Sequence, residues 1–315
     1  MPSRVPGYTR AIRRARSRLL AIPMYHGVVL EPLPVFNWCQ LELSRFEEQI
    51  KFLASEYRVL PLQEVVNRLR RRLPLPEQAA VITFDDGFRS VYTTAFPVLE
   101  RYQVPFTVFL ITSLVGADQP AWPERLFSCV SGTKAESVRF AEADWPLKTP
   151  PQRATAYRAI GSRLKRMDEK QKDEALERLL ECLGPADMTG SVLSLMSWDE
   201  VHSLSKSGLA DFGSHTHTHP IMARCDANQQ RKELCRSRDI LQDHLGKADL
   251  FAYPNGTRDD FTDVTKSLVK SLGYSCGATT ISGLNCADED LYELRRVNVG
   301  ADADVAEFEL LMLGL

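Results

Sequence analysis

Short apolar runs alternate along the chain with segments in which apolar residues recur at helical spacing. The runs are rich in β-branched and aromatic residues, as buried strands of a parallel sheet are. Seven of them are predicted strands: 19–24, 79–84, 104–111, 209–212, 250–253, 274–279 and 294–299. Between them, positions such as Phe46, Ile50 and Leu53 indicate amphipathic helices. This alternation predicts an α/β fold built on a parallel sheet or barrel.

The alternation pauses between about residues 116 and 195. A long, charged helical pattern runs over 152–183 and ends at Gly184. Its apolar positions are enough to pack one face, so we predict a helical insertion over the barrel mouth and not an independent domain. Trp122, near the start of this segment, could stack on a sugar ring or simply pack the insertion.

Composition and charge narrow the class of protein. The chain has 315 residues, of which 44% are hydrophobic and 25% are charged, as in a globular protein able to bury a core. A formal net charge of -2 gives no general attraction to nucleic acid, so we expect no nucleic-acid partner. The seven cysteines are scattered and include no Cys-x-x-Cys, which favours reduced thiols and a cytoplasmic location.

The first 18 residues form a basic tail, with six arginines and no acidic residue. We expect a solvated, partly disordered arm. Peripheral contact with a membrane of anionic lipid, or with a lipid-linked glycan, is the alternative. Residues 19–315 are then expected to form one catalytic domain.

Two adjacent carboxylates, Asp85 and Asp86, end the run at 79–84, and Gly87 follows them. Parallel α/β folds place their chemistry at the carboxyl ends of the strands. Neighbours on a strand point to opposite faces, so the two carboxylates can have different roles. An acidic N-cap at a strand-to-helix turn is the structural alternative.

Three of the six histidines, His215, His217 and His219, lie within five residues directly after a predicted strand. Imidazole nitrogens with a carboxylate oxygen form a common ligand set for divalent metals. One helical turn would bring the first and third histidine to one side and turn the second away. We expect Thr216 and Thr218 to brace the loop by side-chain–backbone hydrogen bonds.

Together these stretches resemble the motifs of the polysaccharide deacetylase family, carbohydrate esterases of the chitooligosaccharide-deacetylase type. The first motif, Thr-Phe-Asp-Asp-Gly, occurs at 83–87, and the second, His-Ser/Thr-x-x-His, at 215–219. The third, Arg-x-Pro-Tyr/Phe-Gly, occurs in altered form as Ala-Tyr-Pro-Asn-Gly at 252–256. The resemblance covers about 19–300 and implies a distorted (β/α)7 barrel.

The resemblance also implies a metal-dependent hydrolase that removes N-acetyl groups from an amino-sugar-containing glycan and releases acetate. Asp86, His215 and His219 are the implied ligands of a divalent metal, and zinc best matches the ligand types. Asp85 is the implied general base that activates a water molecule. The backbone N–H at Asn255 is the implied donor to the developing oxyanion.

Two features depart from the family pattern. Ala252 stands where the family has the arginine that orients the base, and Arg296 or Arg295 could supply the guanidinium; a plain surface charge is an equal alternative. The family's late histidine, the general acid, has no counterpart, so the proton comes from Asp85, another side chain or water. His26, at the end of the first strand, could point into the barrel mouth, but an ordinary structural histidine is the favoured interpretation.

Two other functions stay open at this point. One is a different amide or ester hydrolase on the same metal site, which an assay of N-acetylglucosamine oligomers against acyl esters would distinguish. The other is a catalytically inactive glycan-binding module. The missing arginine and acid favour that module, and the intact Asp85 speaks against it.

Overall fold

The computed structural model describes residues 6–118, 120–184 and 192–315, and a ring of parallel strands lies at its centre. The strands of the described part are β1 (Pro23–Tyr25), β2 (Gly27–Val29), β3 (Gln40–Glu42), β4 (Arg58–Val59), β5 (Ala79–Ala80), β6 (Ile82–Phe84), β7 (Phe106–Leu110), β8 (Ser137–Phe140), β9 (Ala143–Pro146), β10 (Ala210–Ser214), β11 (Ala278–Ser282) and β12 (Leu294–Asn298). Six of them form one sheet, in the order β10-β7-β6-β1-β12-β11, and all of its pairs are parallel.

Two residues between β10 and β11 close this sheet into a ring. Phe251 forms a parallel bridge with Ser214, and Ala252 forms one with Ala278. The Ala252 N–H donates to the Ser214 carbonyl at 3.0 Å, and the Ala278 N–H donates to the Phe251 carbonyl at 2.9 Å. The predicted strand at 250–253 is therefore present only as single bridges, which explains the distortion of the ring. The predicted α/β fold with a distorted (β/α)7 barrel is confirmed.

Helices pack around the ring and bury its apolar side chains. The α-helices of the described part are α1 (Pro6–Ala15), α2 (Leu43–Glu56), α3 (Leu62–Arg70), α4 (Phe96–Arg101), α5 (Trp122–Gly132), α6 (Pro150–Leu164), α7 (Glu169–Leu183), α8 (Trp198–Lys206), α9 (Ala227–Leu245), α10 (Asp263–Ser271) and α11 (Val305–Met312). A buried aromatic group fixes β1 beside β6: the Tyr25 ring lies 5.3 Å from that of Phe46 and 5.5 Å from that of Phe84.

The segment between β7 and α8, here named the inserted segment, contains α5, the antiparallel pair β8–β9, α6 and α7. The sequence predicted one continuous helix over 152–183, but α6 ends at Leu164 and α7 begins at Glu169. The Asp168 carboxylate accepts a hydrogen bond from the Gln171 N–H at 2.9 Å, and this N-cap starts a new helix. Residues 119 and 185–191 of the predicted insertion lie outside the described part.

The basic N-terminus differs from the solvated arm that the sequence predicted, because Pro6–Ala15 form a helix. The Arg13 guanidinium on this helix pairs with the carboxylates of Glu56, on α2, and Glu309, on α11. These partners are far away in the sequence, so the local composition could not indicate them. In the described part of the chain, no helix is both long and apolar enough to cross a bilayer.

Candidate metal and catalytic centre

The three predicted metal ligands meet at the carboxyl ends of two strands. Asp86 lies two residues beyond β6, and His215 directly follows β10. The Asp86 Oδ1 atom lies 3.5 Å from Nε2 of His215 and 3.5 Å from Nε2 of His219. The ligand atoms of all three residues lie within 4.8 Å of one another, so they face one point. His217 points elsewhere, with its Nδ1 atom 3.1 Å from the Thr112 hydroxyl.

Left-handed backbone conformations bring these side chains together. Asp86, Thr216, His219 and Asn255 have φ values of 69°, 66°, 62° and 57°, which residues other than glycine seldom adopt. The predicted helical turn after His215 is not formed; the chain instead turns through two left-handed residues, Thr216 and His219. Backbone strain of this kind is concentrated at functional sites, because only a constrained surrounding structure maintains it.

Glu233, on α9, holds the histidine loop in place. Its carboxylate accepts hydrogen bonds from the backbone N–H groups of His217 and Thr218, at 2.9 and 2.8 Å, and from the Thr218 hydroxyl at 2.9 Å. The Thr216 hydroxyl accepts a hydrogen bond from the His219 N–H at 3.0 Å, which is the predicted side-chain–backbone brace. Glu233 was not predicted, because nothing local in the sequence links it to a loop 15 residues away.

The three donor atoms fit a divalent metal ion. Tetrahedral ligands at about 2.0–2.1 Å from zinc would lie roughly 3.4 Å apart, and the observed separations from Asp86 are 3.5 Å. The His215 Nδ1 atom lies 2.9 Å from the Ala252 carbonyl, which can only accept, so this nitrogen carries the proton and the Nε2 lone pair faces Asp86. Ala252, which lacks the motif guanidinium, thus orients a candidate ligand through its backbone.

Burial also favours the binding of a cation by His215, His219 and Asp86. It lowers the pKa of both His215 and His219, so both imidazoles stay neutral and able to ligate. Burial raises the pKa of Asp86, and the nearby carboxylates of Glu124 and Asp85 raise it further. A bound cation would relieve this cost of holding Asp86 ionised.

Asp85 and Arg296 form a buried bidentate ion pair. The Arg296 Nη1 and Nη2 atoms each donate to one Asp85 carboxylate oxygen at 2.7 Å, and Nε donates to the Thr279 carbonyl at 2.7 Å. Burial by itself raises the pKa of Asp85, but the charge and the hydrogen bonds of Arg296 outweigh it and hold this pKa well below its usual range. Asp85 is therefore a fixed, ionised carboxylate, with Oδ2 4.0 Å from Nε2 of His215.

Arg296, and not Arg295, takes the place of the motif arginine. Adjacent side chains on β12 point to opposite faces, and the Arg295 side chain is 40% exposed, with Nε 3.9 Å from a Glu289 oxygen. The Arg296 side chain is fully buried. The two arginines are alternatives in the sequence, because the register of a strand cannot be read from two adjacent residues of the same type.

A cavity of about 650 Å³ contains this centre and is lined by Asp85, Asp86, both candidate histidine ligands and Asn255. The Asn255 carbonyl accepts a hydrogen bond from the Thr280 hydroxyl at 2.6 Å. Within the described residues, no backbone acceptor takes the N–H of Asn255. Trp122 lines the cavity and also packs in the inserted segment, where the Lys172 ammonium lies 5.6 Å from its ring centroid.

His26 lines the same cavity, next to Asp85. It lies one residue beyond β1, Asp85 lies one residue beyond β6, and these strands pair with Tyr25 beside Phe84. The buried His26 Nδ1 atom has no partner among the described residues, and its ring meets that of Trp38 edge-on at 4.9 Å. Burial lowers the pKa of His26 to about 4. The sequence favours an ordinary structural histidine, and the structure places His26 on the cavity wall, beside the strand that leads to Asp85.

The fold and the site together define an α/β barrel with a candidate mononuclear metal centre at its strand ends. The sequence profile described as polysaccharide deacetylase matches residues 72–277, more than half of the 315 residues. The chain belongs to the polysaccharide deacetylase family.

Part of the chain is similar to curated enzymes. Over 76 residues it is 37% identical to the poly-beta-1,6-N-acetyl-D-glucosamine N-deacetylase of Staphylococcus aureus (strain MSSA476). Over 75 residues it is 36% identical to the enzyme of that name from Staphylococcus epidermidis. Each match covers 24% of this chain and 26% of the relative, so the chain spans about a quarter of the length of the curated relatives it matches.

Several solved structures share the fold over most of the chain. The Streptococcus pyogenes deacetylase PplD, in complex with acetate, has a TM-score of 0.64 at 18% identity and covers 93% of this chain and 98% of its own. BC0361, a polysaccharide deacetylase from Bacillus cereus, has a TM-score of 0.62 at 17% identity. The match covers 93% of this chain and 69% of BC0361. IcaB from Ammonifex degensii has a TM-score of 0.60 at 20% identity. The match covers 94% of this chain and 97% of IcaB.

Proposed function

We propose that this protein is a metal-dependent N-deacetylase that removes acetyl groups from an amino-sugar-containing glycan and releases acetate. The observation that carries the proposal is the carboxylate of Asp85, fixed by Arg296 beside the triangle of Asp86, His215 and His219 in one cavity. Family membership and the similarity to poly-beta-1,6-N-acetyl-D-glucosamine N-deacetylases support an N-acetylated glycan as the substrate. We take 19–315 as the catalytic unit, including the inserted segment.

Asp86, His215 and His219 would hold the divalent ion, and zinc is our first choice for two imidazoles and a carboxylate. When bound, the ion supplies Lewis-acid chemistry, which polarises the acetamide carbonyl and lowers the pKa of water. The hydrogen bond from His215 to the Ala252 carbonyl keeps the ligating nitrogen pointed at the site.

Asp85 accepts a proton from the attacking water. The two hydrogen bonds from Arg296 keep its carboxylate ionised and in one orientation. Because the pKa of Asp85 lies well below its usual range, the protonated form is a strong acid that gives the proton up again readily. The low pKa makes Asp85 a weak base, so its proton uptake depends on the lowered pKa of the water, and the same low pKa favours passing the proton on in the next step.

His26 receives this proton and gives it to the nitrogen of the leaving amine as the carbon–nitrogen bond breaks. His26 and Asp85 follow adjacent strands and line one cavity, so a water molecule could relay the proton between them. The pKa of His26, about 4, lies above that of Asp85, so this transfer is downhill, and transfer to an amine is again downhill. The Asn255 N–H donates to the acetyl oxygen as negative charge develops on it. The products are acetate and a glycan with a free amine.

The test is incubation of purified, zinc-loaded protein with a panel of N-acetylated glycans, with loss of acetyl groups followed by mass spectrometry. We expect acetate release by the wild type and none by Asp86→Ala. The variant Asp288→Asn is a matched control, because this exposed carboxylate lies outside the cavity. Cleavage of acyl esters alone would identify a different hydrolase, and glycan binding without acetate release would identify a binding module; either result rejects the proposal.

A further inference from the structure

One face of α6 forms a wall of the cavity. The residues of α6 and of the turn after it that line the cavity are Tyr157, Arg158, Gly161, Ser162, Lys165 and Arg166. Their spacing of three and four positions places them on a single face of the helix. Three of the six side chains are cationic and none is anionic. We name these three, Arg158, Lys165 and Arg166, the cationic face.

The cationic face has no directly paired counter-charge among the described residues. Within the described residues, its three side chains are exposed and take part in no ion pair or side-chain hydrogen bond. Other arginines of the inserted segment differ in this respect: Arg125 pairs with Glu177 at 2.8 Å, and Arg153 donates to the Leu147 carbonyl at 2.8 Å. The unpaired cations of α6 and of the turn after it therefore lie together on the cavity wall.

Lys165 lines the same cavity as the candidate centre, together with Asp86 and Glu124. Glu124, on α5, is only 5% exposed. The ammonium group of Lys165 therefore shares this cavity with acidic groups as well as with the other two cations.

Other parts of the cavity lining carry acidic groups. They include Glu124, on α5, and the residues Asp259 and Asp260 of the 255–260 loop. The Asp260 carboxylate accepts a hydrogen bond from the Thr257 N–H at 3.0 Å. The cationic face and these acids therefore line one cavity, to which Arg224 adds a further cation. Such a cavity gives a charged ligand a preferred orientation.

We propose that the cationic face binds an anionic group of the glycan substrate, either a phosphate ester or a carboxylate close to the N-acetylated sugar. This inference rests on the proposed function, because it describes a subsite of the same cavity. Guanidinium and ammonium groups bind such oxyanions through charge-assisted hydrogen bonds. A neutral glycan would leave all three cations without a partner, whereas an anionic one satisfies them.

The experiment measures glycan binding by calorimetry in the Asp85→Asn protein, which we expect to bind substrate without turning it over. Three matched ligands are compared: an N-acetylglucosamine oligomer, the same oligomer with a phosphate ester, and an oligomer that alternates N-acetylglucosamine with a uronic acid. We expect at least one anionic ligand to bind about tenfold more tightly than the neutral one. The two anionic ligands distinguish a phosphate from a carboxylate.

The added double substitution Arg158→Gln/Arg166→Gln should remove this preference, and Lys165→Gln should reduce it. The control is Lys170→Gln/Arg178→Gln, which removes two exposed cations of α7 that do not line the cavity. Equal affinity for the three ligands, or a preference that survives in the first double variant, would overturn the inference. A preference for the anionic ligand, combined with no acetate release by the wild-type protein, would sustain the inference and reject the proposed function.

Discussion

The buried guanidinium of Arg296 reaches Asp85 from the far side of β1, and the two residues are 211 positions apart in the sequence. Both hydrogen bonds are 2.7 Å long, which is the bidentate geometry that arginine favours with carboxylates. In the third family motif the corresponding guanidinium would stand at position 252, where this chain has alanine. The charge thus comes from β12, and the carboxylate it orients is Asp85.

Replacing Arg296 with Gln should lower kcat and destabilise the protein. The substitution leaves Asp85 buried without its counter-ion, which costs about 3–5 kcal/mol in comparable buried pairs. We expect kcat to fall by about 10²-fold or more as the base loses its orientation, and Arg296→Lys to restore part of it. The measurements are steady-state deacetylation and denaturant unfolding. Arg295→Gln, on the exposed neighbour, is the control and should change neither quantity strongly.

Removing the metal should abolish activity and leave the barrel folded. The candidate ligands lie at strand ends, while the ring itself is held by backbone pairing and by a separate apolar core. We expect a chelator to stop acetate release and zinc to restore it, with little change in the far-UV circular dichroism. His219→Ala should lose zinc binding in equilibrium dialysis, whereas His217→Ala, whose ring points to Thr112, should retain it. Equal loss in both variants would contradict the assigned ligand set.

The stability of the metal-free protein should fall between about pH 6.5 and pH 4, in part through His26. Its pKa in the folded state is about 4, below the value of 6.5 for a free histidine, so the unfolded chain binds more protons in this window. Stability is therefore present above pH 6.5 and is lost as the pH falls, by up to about 3 kcal/mol. His26→Gln should show a shallower decline in urea unfolding free energy. Parallel pH profiles for the two proteins would show that His26 is not held neutral by burial.

Local motifs predicted the site residues whose positions depend on local structure. Asp86 and His215 follow predicted strands, and parallel strands present their carboxyl ends at one edge. The choice of Arg296 over Arg295 depends on strand register, which no short motif encodes. The helix break at Asp168 was not predicted, because this one N-capping side chain is the only interruption of an otherwise continuous helical pattern. Glu233 and the partners of α1 are long-range contacts, for which a single sequence gives no signal.

Replacing His26 with Gln should slow the breakdown of the carbon–nitrogen bond and have less effect on substrate binding. General acid catalysis typically contributes about 10²–10⁴-fold, so we expect a loss of that order in kcat and a small change in KM. An aryl acetate separates this role from a structural one, because its phenolate leaves without a proton. The variant should therefore keep most of its activity on the ester while losing it on the acetamide. His202→Gln, outside the cavity, is the control; an equal loss on both substrates would mean that His26 only positions the wall.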